Sequence, residues 1–159
     1  MSNFWNEIPD VYNEQHEKTI IGQIVNARNI VFVARGRVGL VTKMFMQRLI
    51  QYGYNCFWHD DLHIPELNNQ DLIIFVSASG QTLSSWVYTQ VAKDINARTM
   101  AITFNDTGRI TRGVKTAVIY EEKSNSMPMK SYYELAFLYI FEKLLTTFDT
   151  DKFQHTNFE

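Results

Sequence analysis

This sequence predicts a doubly wound α/β fold, a five-stranded parallel sheet flanked by helices, and three observations carry the prediction. Apolar, β-branched runs of strand length occur at 29–34 (NIVFVA) and 72–76 (LIIFV), as expected for strands buried on both faces. Each run passes through a turn rich in glycine or hydroxyls into apolar residues at helical spacing. After the second of these helices Met100-Ala101-Ile102 reads as the next strand. Strand, turn, helix and strand in repetition is the pattern of a parallel sheet with helices on both faces.

The chain has 159 residues, enough for one domain with a full core. It divides into an N-terminal helical segment (1–28), a core (29–120) and a C-terminal helix with its tail (121–159). Phe4, Trp5, Ile8, Val11 and Tyr12 make an apolar patch interrupted by Pro9, and Ile20, Ile21, Ile24 and Val25 predict a helix over 13–28. The strand at 29–34 ends in a turn at 35–39, after which Val41, Met44, Phe45 and Leu49 resume helical spacing. Gly53 is a C-cap for that helix, and 54–58 is a short strand. A polar loop (59–70) leads to the strand at 72–76 and the turn 77–82. Leu83, Trp86, Val87, Val91 and Ile95 then mark a helix. A connector holding Gly108 and Gly113 precedes a strand at 115–120 and a charged loop at 121–130. The last helix, 131–148, is apolar around nearly its whole circumference. Such a helix is expected to meet the core on one side and a second subunit on the other.

Composition narrows the function classes. A hydrophobic content of 45% with 20% charged residues describes an ordinary globular chain. The formal net charge of −2 offers no electrostatic reason for nucleic acid or an anionic membrane as partner. No apolar run has the length of a membrane span, and the first residues lack the regions of a signal peptide. Cys56 is the single cysteine, so a reducing, cytoplasmic home is expected.

The turn Ser77-Ala78-Ser79-Gly80-Gln81-Thr82 concentrates the chemistry. It lies between a strand's carboxyl end and a helix's amino end, where free N–H groups and the helix dipole prefer an anion. Its three hydroxyls suit the acceptor oxygens of a phosphate monoester. The plain alternative is a helix cap, which needs only one hydroxyl. In doubly wound folds ligands sit where strand order reverses, so the turns at 35–39 and 77–82 are expected to line one crevice. A second motif misleads. Ala34, Gly36 and Gly39 have the spacing of a dinucleotide fingerprint, with Asp60 and Asp61 roughly twenty residues on. Those acids fall beyond the second strand, and a dinucleotide leaves the hydroxyl turn without a task. Gly36 and Gly39 read instead as permitting tight strand–helix packing.

Other candidates carry two readings each. Ser131-x-x-Glu134 has the spacing of a capping box opening the last helix, while Glu134 is also a carboxylate able to act as a base. Arg37 reads either as a ligand contact or as the partner of an acid. His16 reads as a solvated helix residue. His59 and His63 sit in a loop near the strand ends without a convincing third ligand for a metal, and His155 lies in the polar tail.

With both turns in view, the chain resembles the sugar isomerase (SIS) domain family, of flavodoxin-like topology, from about residue 29 onward. That family pairs a turn like G-x-G-R-S-G with one like S-x-S-G-E-T. Here they stand as Ala34-Arg35-Gly36-Arg37-Val38-Gly39 and Ser77-Ala78-Ser79-Gly80-Gln81-Thr82. Residues 48–53 (RLIQYG) match the family's R-L-x-x-x-G helix end. Within the family, residues 127–134 (MPMKSYYE) resemble the P-M-G-S-x-F-E segment of 6-phospho-3-hexuloisomerases, and 155–159 (HTNFE) resemble their terminal H-A-N-L-E.

The resemblance implies a phosphosugar isomerase that moves a carbonyl by one carbon through an enediol(ate), with no metal and no organic cofactor. It implies a homodimer or homotetramer with sites shared between subunits. By matching position, Ser77, Ser79, Gln81 and Thr82 would bind the substrate, the three hydroxyls holding its phosphate. Gly36 and Arg37 would lie beside the sugar, Glu134 would be the base, and His155 would reach a neighbour's pocket. Three departures favour a catalytically silent sugar-phosphate binding or sensing domain as the alternative. Val38 replaces Ser, Gln81 replaces Glu, and Gln51 stands where hexuloisomerases often have His. A flavodoxin-like nucleotide or flavin binder is the third reading.

Overall fold

The five strands of the described residues all join one sheet. They are β1 (Ile30–Val33), β2 (Cys56–Trp58), β3 (Leu72–Ser77), β4 (Arg98–Thr103) and β5 (Thr116–Ile119), parallel throughout in the order β2-β1-β3-β4-β5. The computed structural model describes residues 4–123 and 131–148. Helix α1 (Phe4–Glu7) and a 3-10 turn (Ile8–Val11) lead into α2 (Glu14–Val25), which Asn13 caps by accepting the His16 N–H at 3.0 Å. Helices α3 (Gly36–Gln51), α4 (Leu83–Asp94), α5 (Arg109–Gly113) and α6 (Tyr132–Leu145) follow.

Alternation along the strands sorts the helices into two layers. Ile30, Phe32, Leu72, Ile74, Val76, Met100, Ile102 and Val118 face the larger core, which α2, α3 and α6 close with Ile20, Ile24, Phe45, Leu49, Phe137 and Phe141. Phe45 and Phe141 stack at 4.5 Å and join α3 to α6. Val31, Val33, Ile73, Phe75 and Ala101 face the opposite layer, where Ala92, Ala97 and Ile110 cover them. Strand order reverses between β1 and β3, so the turns after these two adjacent strands stand side by side, as the doubly wound reading expects.

Several local readings change. The segment 35–39 is largely helix and not a separate turn: α3 begins at Gly36, whose φ of +58° is left-handed and suits glycine. Gly39 lies inside the helix, where a Cβ would sit 3.4 Å from the Ala34 carbonyl carbon, the close packing expected of it. His16 is half-buried and not free in solvent. Its Nε2 lies 2.8 Å from the Ile119 carbonyl, and its ring meets Tyr120 edge-on at 4.8 Å. Part of the α6 face that the sequence assigned to another subunit is met by this chain's own N-terminal segment. Leu135, Leu138 and Tyr139 line an apolar groove with Trp5, Ile8 and Pro9.

Candidate functional site

At the reversal point a cavity of about 320 Å³ opens over the carboxyl ends of β1 and β3. Three segments build it. Arg35, Arg37 and Val38 come from the start of α3, and Val76, Ser77, Ala78, Ser79 and Thr82 from the end of β3 and its turn. Tyr133 and Glu134 come from the first turn of α6.

The hydroxyl turn is held from beneath. Gly80 adopts φ +63° and donates its N–H to Ser77 Oγ at 3.0 Å, while Ser77 Oγ lies 3.4 Å from Thr82 Oγ1. The Gly80 carbonyl accepts from Ile110 N at 2.9 Å, and Asn105 Nδ2 donates to the Ser79 carbonyl at 2.9 Å. Gly108 packs so closely that a Cβ there would lie 2.6 Å from the Gly80 oxygen, which only glycine tolerates. Thr82 occupies the N-cap position of α4, yet its side chain makes no capping hydrogen bond. The plain capping reading of these hydroxyls is therefore not the geometry found at Thr82.

The same test applies to the opposite wall. Ser131 precedes α6 in a helical conformation (φ −62°, ψ −14°) and makes no side-chain cap, so the capping box is not formed. Glu134 turns to Arg37 instead, Nε donating to Oε1 at 2.8 Å. Its Oε2 is shielded from water and has no hydrogen-bond partner among the described residues. A carboxylate oxygen desolvated without a donor is costly, and such sites cluster where function needs them. Phe104 sets this wall in place: at the end of β4 its ring packs against Tyr133 and Phe137, each at 5.2 Å, and its N–H donates to the Ala78 carbonyl.

The structure thus brings Arg37, Ser77, Ser79, Thr82 and Glu134 to one cavity. Gly36 and Gln81 do not line it. Gln81 Oε1 faces away and accepts from Arg109 N at 3.2 Å and Arg109 Nε at 3.3 Å. His155 lies outside the described residues, as do 127–130 and the rest of the tail. His59 is buried between Trp58 and Tyr88 away from the cavity lining, and burial, with Arg35 nearby, lowers its pKa. His63 is exposed in the loop. Arg35 and Tyr133 are cavity residues that the motifs did not assign. Arg35 has no ion-pair partner among the described residues, and Tyr133 donates to Glu122 Oε2 at 2.7 Å. Burial and that carboxylate push the Tyr133 phenol up to about 12. Arg35 stands beside the glycine motif and Tyr133 beside Glu134, so adjacency was the available signal. Among the described residues no cluster of three or more potential metal ligands occurs, and no helix is long and apolar enough to cross a membrane.

The SIS domain family profile matches residues 23–141, a span holding all three walls of the cavity. The chain belongs to the SIS domain family. The SIS relatives include a Methanocaldococcus jannaschii protein named 3-hexulose-6-phosphate isomerase, 28% identical over 73% of this chain and 64% of its own length. A Bacillus subtilis protein of the same name is 25% identical over 91% of this chain and 83% of its own. The chain spans between 46% and 64% of the first relatives it matches. Among solved SIS folds, a Methanococcus jannaschii structure described as inferring a 3-hexulose-6-phosphate isomerase aligns with TM-score 0.78 at 23% identity. It covers 92% of this chain and 87% of that one. The Vibrio vulnificus NanR protein complexed with ManNAc-6P aligns with TM-score 0.74 at 16% identity, covering 94% of this chain and 61% of that one.

Proposed function

We propose that this chain is a phosphosugar isomerase, most like 3-hexulose-6-phosphate isomerase, that moves a carbonyl by one carbon through an enediol(ate). One observation carries the reading. The hydroxyl turn and a carboxylate freed from its capping role face each other across one cavity. The phosphate is the handle, held by Ser77, Ser79 and Thr82 and the amino end of α4, with Arg35 as the available cation. Glu134 takes the proton from the hydroxyl-bearing carbon beside the carbonyl, leaving an enediol(ate), and returns it to the former carbonyl carbon, while the hydroxyl proton passes to the former carbonyl oxygen. One residue serves both transfers because the handle keeps the carbon chain still. A second copy of the chain against the α6 side belongs to the same proposal.

Solvent-deuterium incorporation into 3-hexulose 6-phosphate and a panel of ketose and aldose phosphates tests it. Wild-type protein is expected to exchange the carbon-bound proton. Glu134→Gln is expected to lose about 10²–10⁴-fold in rate, the usual contribution of a positioned base, without a change in melting temperature. Full exchange in that variant removes Glu134 as base.

Val38 favours a second reading, a silent sugar-phosphate sensor. It puts an isopropyl group on the cavity wall where the family carries a hydroxyl, and the NanR protein was solved with a sugar phosphate. Stabilisation by phosphosugars with no deuterium exchange in wild-type protein would select it.

A further inference from the structure

The two cavity arginines are not equivalent. Arg35 has no ion-pair partner among the described residues, whereas Arg37 reaches from the first turn of α3 to Glu134 Oε1 at 2.8 Å. The contact is made through Nε, the guanidinium nitrogen closest to the stem, so it fixes the distance between α3 and the carboxylate. Glu134 is the more buried member, its side chain 19% exposed against 54% for Arg37. Oε2 is buried behind that contact and has no hydrogen-bond partner among the described residues, so the Arg37 contact is the bond that fixes where the carboxylate stands.

We propose that Arg37 is a positioning residue, which grips Glu134 Oε1 and so holds the carboxylate in the one place at the cavity wall from which it takes and returns the substrate's proton. This rests on the isomerase reading above and departs from the motif's assignment of Arg37 to the sugar. A carboxylate with two free oxygens on a flexible stem would sample several rotamers, and a displacement of about 1 Å costs about 10²-fold in rate.

A double-mutant cycle with 3-hexulose 6-phosphate, read by kcat, KM and calorimetric Kd for inorganic phosphate, tests the assignment. Arg37→Ala is expected to lower kcat by about 10–100-fold while KM and the phosphate Kd stay within roughly threefold. Glu134→Asp, which withdraws the carboxylate by one methylene, is expected to lose a similar factor and to retain a measurable rate. The double variant should then be no worse than the slower single variant by more than about threefold, because both changes displace the same group. Arg37→Lys, which keeps charge but not the Nε contact, should fold normally and restore only part of kcat. Losses that multiply in the double variant overturn the proposal, as does a raised KM and Kd with unchanged kcat. If wild-type protein exchanges no phosphosugar at all, the isomerase reading fails and this one with it. An active wild type with multiplicative losses removes this one alone.

Discussion

Side-chain direction decides which motif residues belong to the cavity. Ser77, Ser79 and Thr82 share a turn with Gln81, yet the first three line the cavity and Gln81 is held by Arg109 outside it. A hydrogen bond to a charged group contributes about 1.5–3 kcal/mol, and one of about 1.4 kcal/mol is tenfold in affinity. Ser77→Ala and Thr82→Val are therefore each expected to raise the Kd for inorganic phosphate about tenfold. Ser77→Ala also strips the Gly80 N–H of its acceptor, so it should be the more severe. Gln81→Ala should leave that Kd within about twofold, and titration calorimetry on the three variants checks the ranking. Equal losses at 77, 81 and 82 would contradict the geometry. At this scale the sequence was legible in residue type more than in direction. Nothing local tells Gln81 to pair with Arg109, which is 28 residues away, or Glu134 to pair with Arg37 rather than with its own helix end.

Elements hold the site through contacts between distant segments. Asp71, immediately before β3, is fully buried and accepts from Arg28 Nε at 3.0 Å, Arg28 Nη2 at 2.7 Å and Asn68 N at 2.7 Å. Asn29 N adds a bond at 3.1 Å and Asn29 Nδ2 one at 3.0 Å. One carboxylate thus aligns the starts of β1 and β3, whose far ends form the cavity. Burial alone would raise its pKa. The Arg28 fork, the Asn68 amide and Asn29 outweigh burial and hold the carboxyl below the usual range. A carboxyl depressed in the folded state stabilises above its unfolded value of about 3.9 and loses that contribution as pH falls through the folded value. Asp71→Asn is expected to cost about 3 kcal/mol at neutral pH, since it breaks a buried pair while Arg28 can return to water. The gap between wild type and variant should narrow as pH falls below about 4 in urea unfolding. A gap constant from pH 3 to 7 would show that the charge is not what stabilises. Element types were readable because buried parallel strands and amphipathic helices have distinct periods. Boundaries were less so: Gly36 opens a helix where the glycines suggested a turn, and the strand at Met100 runs from Arg98 to Thr103 because β3 beside it supplies the pairing.

For the whole molecule, strand order 2-1-3-4-5 does the main work. It sets the turns after β1 and β3 together and leaves α6 to bring Glu134 over them. The adjacent turns followed from the repeated strand, turn and helix pattern, whereas the place of Glu134 came only with the family resemblance. What did not follow was how α6 is covered, because its apolar circumference does not distinguish this chain's own Trp5, Ile8 and Pro9 from a second copy. The central claim is that the cavity holds a phosphosugar by its phosphate on the 77–82 turn with its carbon chain toward Glu134. A crystal structure of Glu134→Gln with 3-hexulose 6-phosphate measures this most directly. The account predicts phosphate oxygens within hydrogen-bond distance of Ser77, Ser79 or Thr82, and a sugar carbon beside the residue 134 side chain. A cavity left empty at saturating ligand, or a phosphate seated elsewhere, would contradict it.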